Sequence, residues 1–376
     1  MSFFKRAWAE VHLDRLYENA DNFKKNLKGD SELMCVVKAD CYGHGSPDCA
    51  VFLQKELGVK WFAVSNLNEA IELRNGGITE EILILGYTPP EYAQALSENN
   101  IIQAITEKEY AQLLSQNTTS PVRCHIKLDT GMTRIGVRCK DVCEFKREIE
   151  EICNLENISV EGIFTHLCVA DSNSVDDVRF TEKQISLFNE IYSEIKESCP
   201  AIVHHHYLNS AGGILHDNGD STLARLGIVL YGLKPDYELE IPFELKPAME
   251  LKAVVSQVKT VEADVEISYG RTFKTDKEIK LATVSIGYAD GVPRALSNKG
   301  ELLVKGKRAK IVGRVCMDQL MIDVTGIDVK AGDIATVFGN DGEESITADD
   351  IARSCGTIGY EIICNITKRV PRVYHS

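Results

Sequence analysis

The chain has 376 residues, room for two domains or one large barrel with an appendage, and its 44% hydrophobic content suffices for real cores. A formal net charge of -14 argues against nucleic acid and anionic membrane surfaces as partners. No apolar run approaches the ~18 residues of a transmembrane helix, Met1–Glu10 is too short and charged for a signal peptide, and 12 cysteines without a CxxC pair read as reduced thiols in a cytoplasmic protein.

From Leu33 to about Gly232, short apolar runs alternate with amphipathic stretches. The runs are Leu33–Lys38, Trp61–Ser65, Ile82–Leu85, Ile101–Ile105, Val122–Leu128, Val160–His166, His206–Asn209 and Leu226–Leu230. Helical segments are expected between them, at Asn68–Asn75, Pro90–Glu98, Glu107–Gln116 and Thr181–Glu197, and Cys139 and Cys143 fall on a helix start. Alternating strands and helices imply a parallel sheet, and eight strands in about 200 residues is the scale of a (β/α)8 barrel. No G-x-G-x-x-G opens the first unit, which weighs against a dinucleotide-binding open sheet.

Active sites of such barrels sit at the C-terminal ends of the strands. Four runs end there in reactive or anion-binding types: Lys38, Asp129, His166 and Asn209-Ser210. A lysine ending a buried strand is costly unless paired or put to use, and its pKa falls on desolvation. Followed by Tyr42-Gly43, it suits Schiff-base chemistry on a phosphorylated aldehyde cofactor, and the alternative on these residues alone is a surface lysine at the start of an ordinary loop. Arg225 precedes the last run, so this rule does not put it at that face. The run His204-His205-His206 invites a metal reading, but successive residues of a strand face opposite ways and cannot converge on one ion; no metal is expected.

After Pro235 the texture changes. Residues 236–247 read as a linker, and strands are expected at Leu251–Val258, Ile279–Ile286, Ala309–Val315, Leu320–Val324 and Ile334–Phe338. A helix over Thr347–Ser354 would be capped by Thr347, with Asp349 and Asp350 in its first turn. The chain thus reads as an α/β protein, with an N-terminal (β/α)8 barrel over 14–240 and a mainly β domain over 241–376.

Several segments carry a resemblance. They are Val36-Val37-Lys38-Ala39-Asp40-Cys41-Tyr42-Gly43-His44-Gly45, Asp129-Thr130-Gly131-Met132-Thr133-Arg134-Ile135-Gly136, Asn209-Ser210-Ala211-Gly212-Gly213, Arg225-Leu226-Gly227-Ile228, Ile267-Ser268-Tyr269-Gly270-Arg271-Thr272-Phe273, Ile286-Gly287-Tyr288-Ala289-Asp290-Gly291 and Arg314-Val315-Cys316-Met317-Asp318-Gln319. With Arg6-Ala7-Trp8-Ala9-Glu10 and Thr357-Ile358-Gly359-Tyr360-Glu361 at the two ends, they resemble the alanine racemases, barrel-type enzymes that use pyridoxal 5'-phosphate (PLP), over nearly the whole chain.

The resemblance implies a role for each matching residue. Lys38 takes the cofactor aldehyde. Tyr42, Asn209, Ser210, the amides of Gly227 and Ile228, and Tyr360 hold the cofactor, chiefly its phosphate. Arg225 faces the pyridine nitrogen, where many PLP enzymes place a carboxylate, and His166 bonds to Arg225. Lys38 and Tyr269 are the two bases, because one group cannot reach both faces of Cα. Arg134 holds the substrate carboxylate or orients the PLP phenolate through its planar fork, and the Met317 amide meets the substrate carboxylate. Lys127, carbamylated in several relatives, pairs with Arg134, and Asp318 accepts nearby. Tyr288 and Arg294 line the entrance, and Tyr288 and Tyr360 narrow it to a methyl-sized substrate. Residues 1–13 supply a strand to the second domain, and Tyr269 reaches the cofactor of a second chain, so a homodimer shares its sites.

The activity implied is racemisation of L-alanine to D-alanine for bacterial peptidoglycan. Its alternative is the serine racemase module of glycopeptide-resistance proteins. A barrel-only PLP homeostasis protein conflicts with the second domain and Tyr269. A diamino acid decarboxylase conflicts with Arg225 in place of the acid at the pyridine nitrogen.

Overall fold

The computed structural model describes residues 5–217 and 219–376; of the expected N-terminal strand, residues 1–4 lie outside this range. Strand β1 (Ala7–His12) precedes a helix (Leu13–Asn26), and eight strands follow: β2 (Glu32–Val36), β3 (Trp61–Val64), β4 (Glu81–Ile84), β5 (Ile102–Ile105), β6 (Val122–Lys127), β7 (Ile158–Phe164), β8 (His204–His206) and β9 (Leu223–Leu226). They form one all-parallel sheet in the order β8-β7-β6-β5-β4-β3-β2-β9. Two backbone bonds at the remaining seam, Thr222 N–H to His205 O (2.9 Å) and Arg225 N–H to Leu208 O (3.1 Å), bring β9 against β8 and nearly close the barrel. Helices sit between the strands and bury apolar stripes on them, such as Phe188, Ile191 and Ile195 on the helix Val175–Ile195.

Two boundaries differ from the sequence reading in ways that matter for the site. Leu226–Leu230 is not a strand. Strand β9 ends at Leu226, Gly227 breaks the extended run at φ -102° and ψ -112°, and Ile228–Tyr231 is a 3-10 turn. That turn is fully buried, and periodicity alone cannot separate a buried turn from a buried strand. Arg225 therefore lies within a barrel strand. Strand β8 is His204–His206 rather than His206–Asn209, because Asn209 leaves the sheet to cap the helix Ser210–Leu215. Likewise Cys139 precedes, rather than opens, the helix Val142–Cys153, whose cap is Asp141.

The remaining strands form a mainly antiparallel sheet. Strands β10 (Met249–Val261), β11 (Glu266–Ile267), β12 (Phe273–Lys274), β13 (Ile279–Val284), β14 (Glu301–Val304), β15 (Lys307–Lys310), β16 (Leu320–Asp323), β17 (Ile334–Asp341), β18 (Glu344–Ile346) and β19 (Arg372–His375) follow in order. Apart from the β11–β12 hairpin they join one nine-stranded sheet, in which β1 pairs antiparallel with β10 and parallel with β19. The helix Ala348–Cys355 is capped as expected: Thr347 accepts from the Asp350 N–H, and the Asp350 carboxylate accepts from Thr347 in return. Among the described residues no helix is long and apolar enough to cross a membrane.

Candidate active site

The site is built around the turn after β2. Lys38 opens it, and Ala39, Asp40, Cys41 and Tyr42 all have φ between +50° and +56°. Four non-glycine residues in the left-handed region cost about 1–2 kcal/mol each, so the turn must be held from outside. Glu69 accepts from the Ala39 N–H (2.9 Å) and the Asp40 carboxylate from the Ser46 N–H (2.7 Å). His44 Nδ1 lies 3.1 Å from both the Cys41 and Tyr42 carbonyls, and Arg372 Nε donates to Gly43 O (2.9 Å). The turn thus fixes Lys38 and Tyr42 on the wall of one cavity of about 580 Å³. Burial lowers the Lys38 pKa from the usual lysine range, and the nearby Arg134 adds to the effect.

The same cavity is lined by Lys127, Arg134, His166, Asn209, Ser210, Arg225, Gly227, Ile228 and Tyr360. Its anion-sized corner is formed by small groups: a Cβ at Gly227 would lie 3.5 Å from both Ser210 Oγ and Tyr42 Oη. The Gly227 N–H donates to Ser210 Oγ (2.9 Å), so Ser210 rather than the glycine presents the free hydrogen-bonding edge. Burial pushes the Tyr42 and Tyr360 phenols upward, keeping both protonated as donors. Asn209 spends its side chain on the Gly212 N–H (2.8 Å) and the Leu167 carbonyl (3.0 Å), so its part is to shape the loop that carries Ser210.

Arg225 pairs in register beside Met34, which places it one strand from Lys38. Its guanidinium is buried. Nη1 donates to His206 Nδ1 (2.6 Å), Nη2 donates to the Thr165 and Tyr207 carbonyls (2.7 and 3.0 Å), and His166 Nδ1 stands 3.5 Å from Nη2. Its Nε–H has no partner among the described residues. Among the described residues no carboxylate pairs with it, and burial alone brings its pKa down to about 9, still well above neutrality. Burial and the surrounding cations keep His166 neutral.

Asp129, one residue past Leu128, accepts from the Gly131 and Thr133 N–H groups and from Arg138 (3.1, 2.8 and 3.2 Å), and so shapes the loop that presents Arg134. Burial, with the Arg225 charge nearby, brings Lys127 down to about 7.

The other predicted residues lie elsewhere. Among the described residues, Tyr269, Tyr288, Arg294, Met317 and Asp318 do not line the Lys38 cavity of their own chain. Tyr269 is 71% exposed, on a hairpin tip where Ser268 and Arg271 also have positive φ. Met317 is 52% exposed, and its loop is zipped to that of Tyr288 by the Tyr288 N–H to Cys316 O and Ala289 N–H to Met317 O bonds, both 3.0 Å. Asp318 is held by Arg369 at 2.7 Å.

Sequence reasoning missed Phe164, His206 and His125. Phe164 lines the cavity with Lys127 Nζ 5.7 Å and the Arg225 guanidinium 5.5 Å from its ring centre. His205 turns away, as alternation along a strand requires, and stacks on Tyr192, whereas His206 turns inward onto Arg225 and His125. A histidine two residues before Lys127 was the available signal for His125, since both face the same side of β6.

The chain matches the family models "Alanine racemase, N-terminal domain" over residues 11–235 and "Alanine racemase, C-terminal domain" over 248–374. It is 42% identical to the alanine racemase of Desulfovibrio desulfuricans, over 100% of this chain and 99% of that one. Among solved structures it is similar to the alanine racemase of Clostridium difficile 630 (40% identity, TM-score 0.91, covering 100% of this chain and 97% of that one). It is also similar to that of Bacillus anthracis with bound L-Ala-P (37% identity, TM-score 0.93, 100% and 96% covered).

Proposed function

This chain belongs to the alanine racemase family and carries its isomerase activity, and from that premise we propose that Lys38 and Tyr269 are the two groups that move the Cα proton of alanine. The observation that carries the reading is a single cavity holding a lysine of lowered pKa beside a buried, carboxylate-free arginine.

The residues present fit PLP. The corner left open by Gly227, between Ser210 Oγ and Tyr42 Oη, suits a phosphate, with Tyr360 as a further donor. The unused Nε–H of Arg225 suits an acceptor such as a pyridine nitrogen, and Lys38 suits the aldehyde. When bound, PLP supplies an electron-withdrawing ring that acidifies the Cα proton of an attached amino acid.

Arg225 only donates, so with PLP bound it would leave the pyridine nitrogen without a proton, which would restrain the electron sink and disfavour protonation away from Cα. Lys38, its charge destabilised by burial, takes or returns a proton at Cα from its own face. Tyr269 serves the opposite face from a second copy of the chain; its exposure, and its not lining the cavity of its own chain, support that reading. His166 accepts at Nδ1 and so keeps its proton on Nε2, a donor suited to stabilising an incoming phenolate. Arg134 takes the substrate carboxylate, oriented by Lys127, while the Met317 amide, Asp318, Tyr288 and Arg294 complete the site across the dimer.

The same reading assigns 14–240 to the cofactor-holding unit and 241–376, with the first strand, to the β unit. It also assigns a cytoplasmic role supplying D-alanine to peptidoglycan. Racemisation of L-alanine by the PLP-supplemented protein, run against L-serine, tests it. Faster turnover of alanine is expected, and turnover confined to serine overturns the substrate assignment.

A further inference from the structure

A neutral imidazole has one donor and one acceptor, so a chain of imidazoles bound to a fixed donor has only one proton order. His206 Nδ1 lies 2.6 Å from Arg225 Nη1 and must be bare, because arginine only donates. The His206 proton is then on Nε2, 3.1 Å from His125 Nδ1, which must be bare in turn. The His125 proton is left on Nε2, which makes no hydrogen bond among the described residues and stands 3.8 Å from Glu161 Oε1. Glu161 is held there by Arg123 through two bonds of 2.9 and 2.8 Å. Burial holds both imidazoles neutral.

The backbone makes room for this chain. His125 pairs with Gly162, and a Cβ at Gly162 would lie 2.5 Å from the ring. The β6–β7 register slips between Cys124 and His125, so Glu161 falls out of step with its neighbours. Trp61 and His204 complete the walls around His125, with ring centres 5.8 Å away in each case. A bulge and a glycine that together admit a fully buried imidazole are a costly arrangement for a mere space-filler.

We propose that His125 is a positioning residue for Arg225: by accepting the Nε2 proton of His206 it holds His206 in the one tautomer that can accept from the guanidinium. The proposal rests on the reading of Arg225 given above. Among the described residues Arg225 has no carboxylate partner, and this chain of neutral acceptors, ending at Glu161, stands in for one. Replacing His125 by an apolar residue leaves the His206 N–H buried without a partner, and that imidazole gains by flipping away from Arg225.

The test is 15N imidazole NMR of histidine-labelled protein, with and without PLP, on wild type, His125→Leu and His125→Asn. Asparagine places its Oδ1 near the position of the lost Nδ1. Both His125 and His206 should be neutral Nε2–H tautomers in wild type, even without cofactor. His125→Leu should change the His206 tautomer and lower kcat/KM for alanine by about 10- to 100-fold, the range for losing a hydrogen bond to a charged group. His125→Asn should restore both. A cationic or Nδ1–H His125 in wild type overturns the proposal, as does a His206 spectrum that is the same in all three proteins. The spectra decide His125 without turnover, so this proposal and the racemase reading fail separately.

Discussion

Gly162 faces His125 across β6 and β7 so closely that a Cβ on the glycine would come within 2.5 Å of the imidazole. Gly162→Ala must therefore push the ring off its partners or open the β6–β7 pair. Overpacking of this kind costs about 1–3 kcal/mol. Urea unfolding should show a loss of that size with an unchanged m-value. Wild-type stability in the variant would mean that the ring has room to move.

Lys38 should be the lysine that carries the cofactor. Borohydride treatment of the PLP-loaded protein, followed by peptide mapping, should find the label on the Lys38 peptide alone. A label on Lys127, which lines the same cavity, would reverse the roles given to the two lysines.

Arg225→Glu replaces a donor with an acceptor, opposite the Thr165 and Tyr207 carbonyls that now accept from the guanidinium. PLP should still bind through Lys38 and the phosphate corner. Racemisation should fall about 10²-fold or more, as when a preorganised charge is lost, and half-transamination, in which alanine leaves as pyruvate and PLP as pyridoxamine phosphate, should rise. Unchanged racemisation without that by-product would remove Arg225 from the pyridine nitrogen.

Lys127, at about 7, is part neutral at neutral pH, and its amine can take up CO2 to give a carbamate and one proton. Uptake should rise as pH climbs through about 7 and fade below it. The folded pKa lies below the unfolded value of 10.5, so between the two the unfolded chain binds the extra proton and stability rises with pH across that window. A carbamate signal from 13C-bicarbonate that disappears in Lys127→Met would support this. A signal of equal strength in the variant would place the carbamate elsewhere.

The barrel was legible because its strands are buried on both faces and read as apolar runs, and because Lys38, His166 and Asn209 interrupt them at the end where they line one cavity. Strand β8 was read out of place because it is written in histidines, a polar code for a strand whose partners are other polar side chains. The apolar Ile228–Tyr231 turn was misread for the opposite reason: burial selects for apolarity whatever the backbone does. His125 escaped notice because its meaning depends on Gly162, 37 residues away and adjacent only in the sheet. Tyr269 and Met317 could be named only by resemblance, since nothing in their own surroundings marks them as reactive.

Lys38→Ala and Tyr269→Phe should each be inactive alone. If sites are shared between chains, a mixed dimer holds one intact site and one doubly defective site. Mixing the two proteins should then restore part of the activity after subunit exchange. Mixed dimers seen by native mass spectrometry without activity would put both groups in one chain.

The division of labour between Lys38 and Tyr269 is tested most directly by solvent exchange of the Cα proton in Tyr269→Phe, followed separately for L- and D-alanine in D2O. Loss of a positioned general base costs about 10²–10⁴-fold. Exchange from one enantiomer should fall by that factor, while exchange from the other, served by Lys38, stays near the wild-type rate. Equal loss for both enantiomers, or for neither, would contradict a two-base reaction with Lys38 and Tyr269 on opposite faces of Cα.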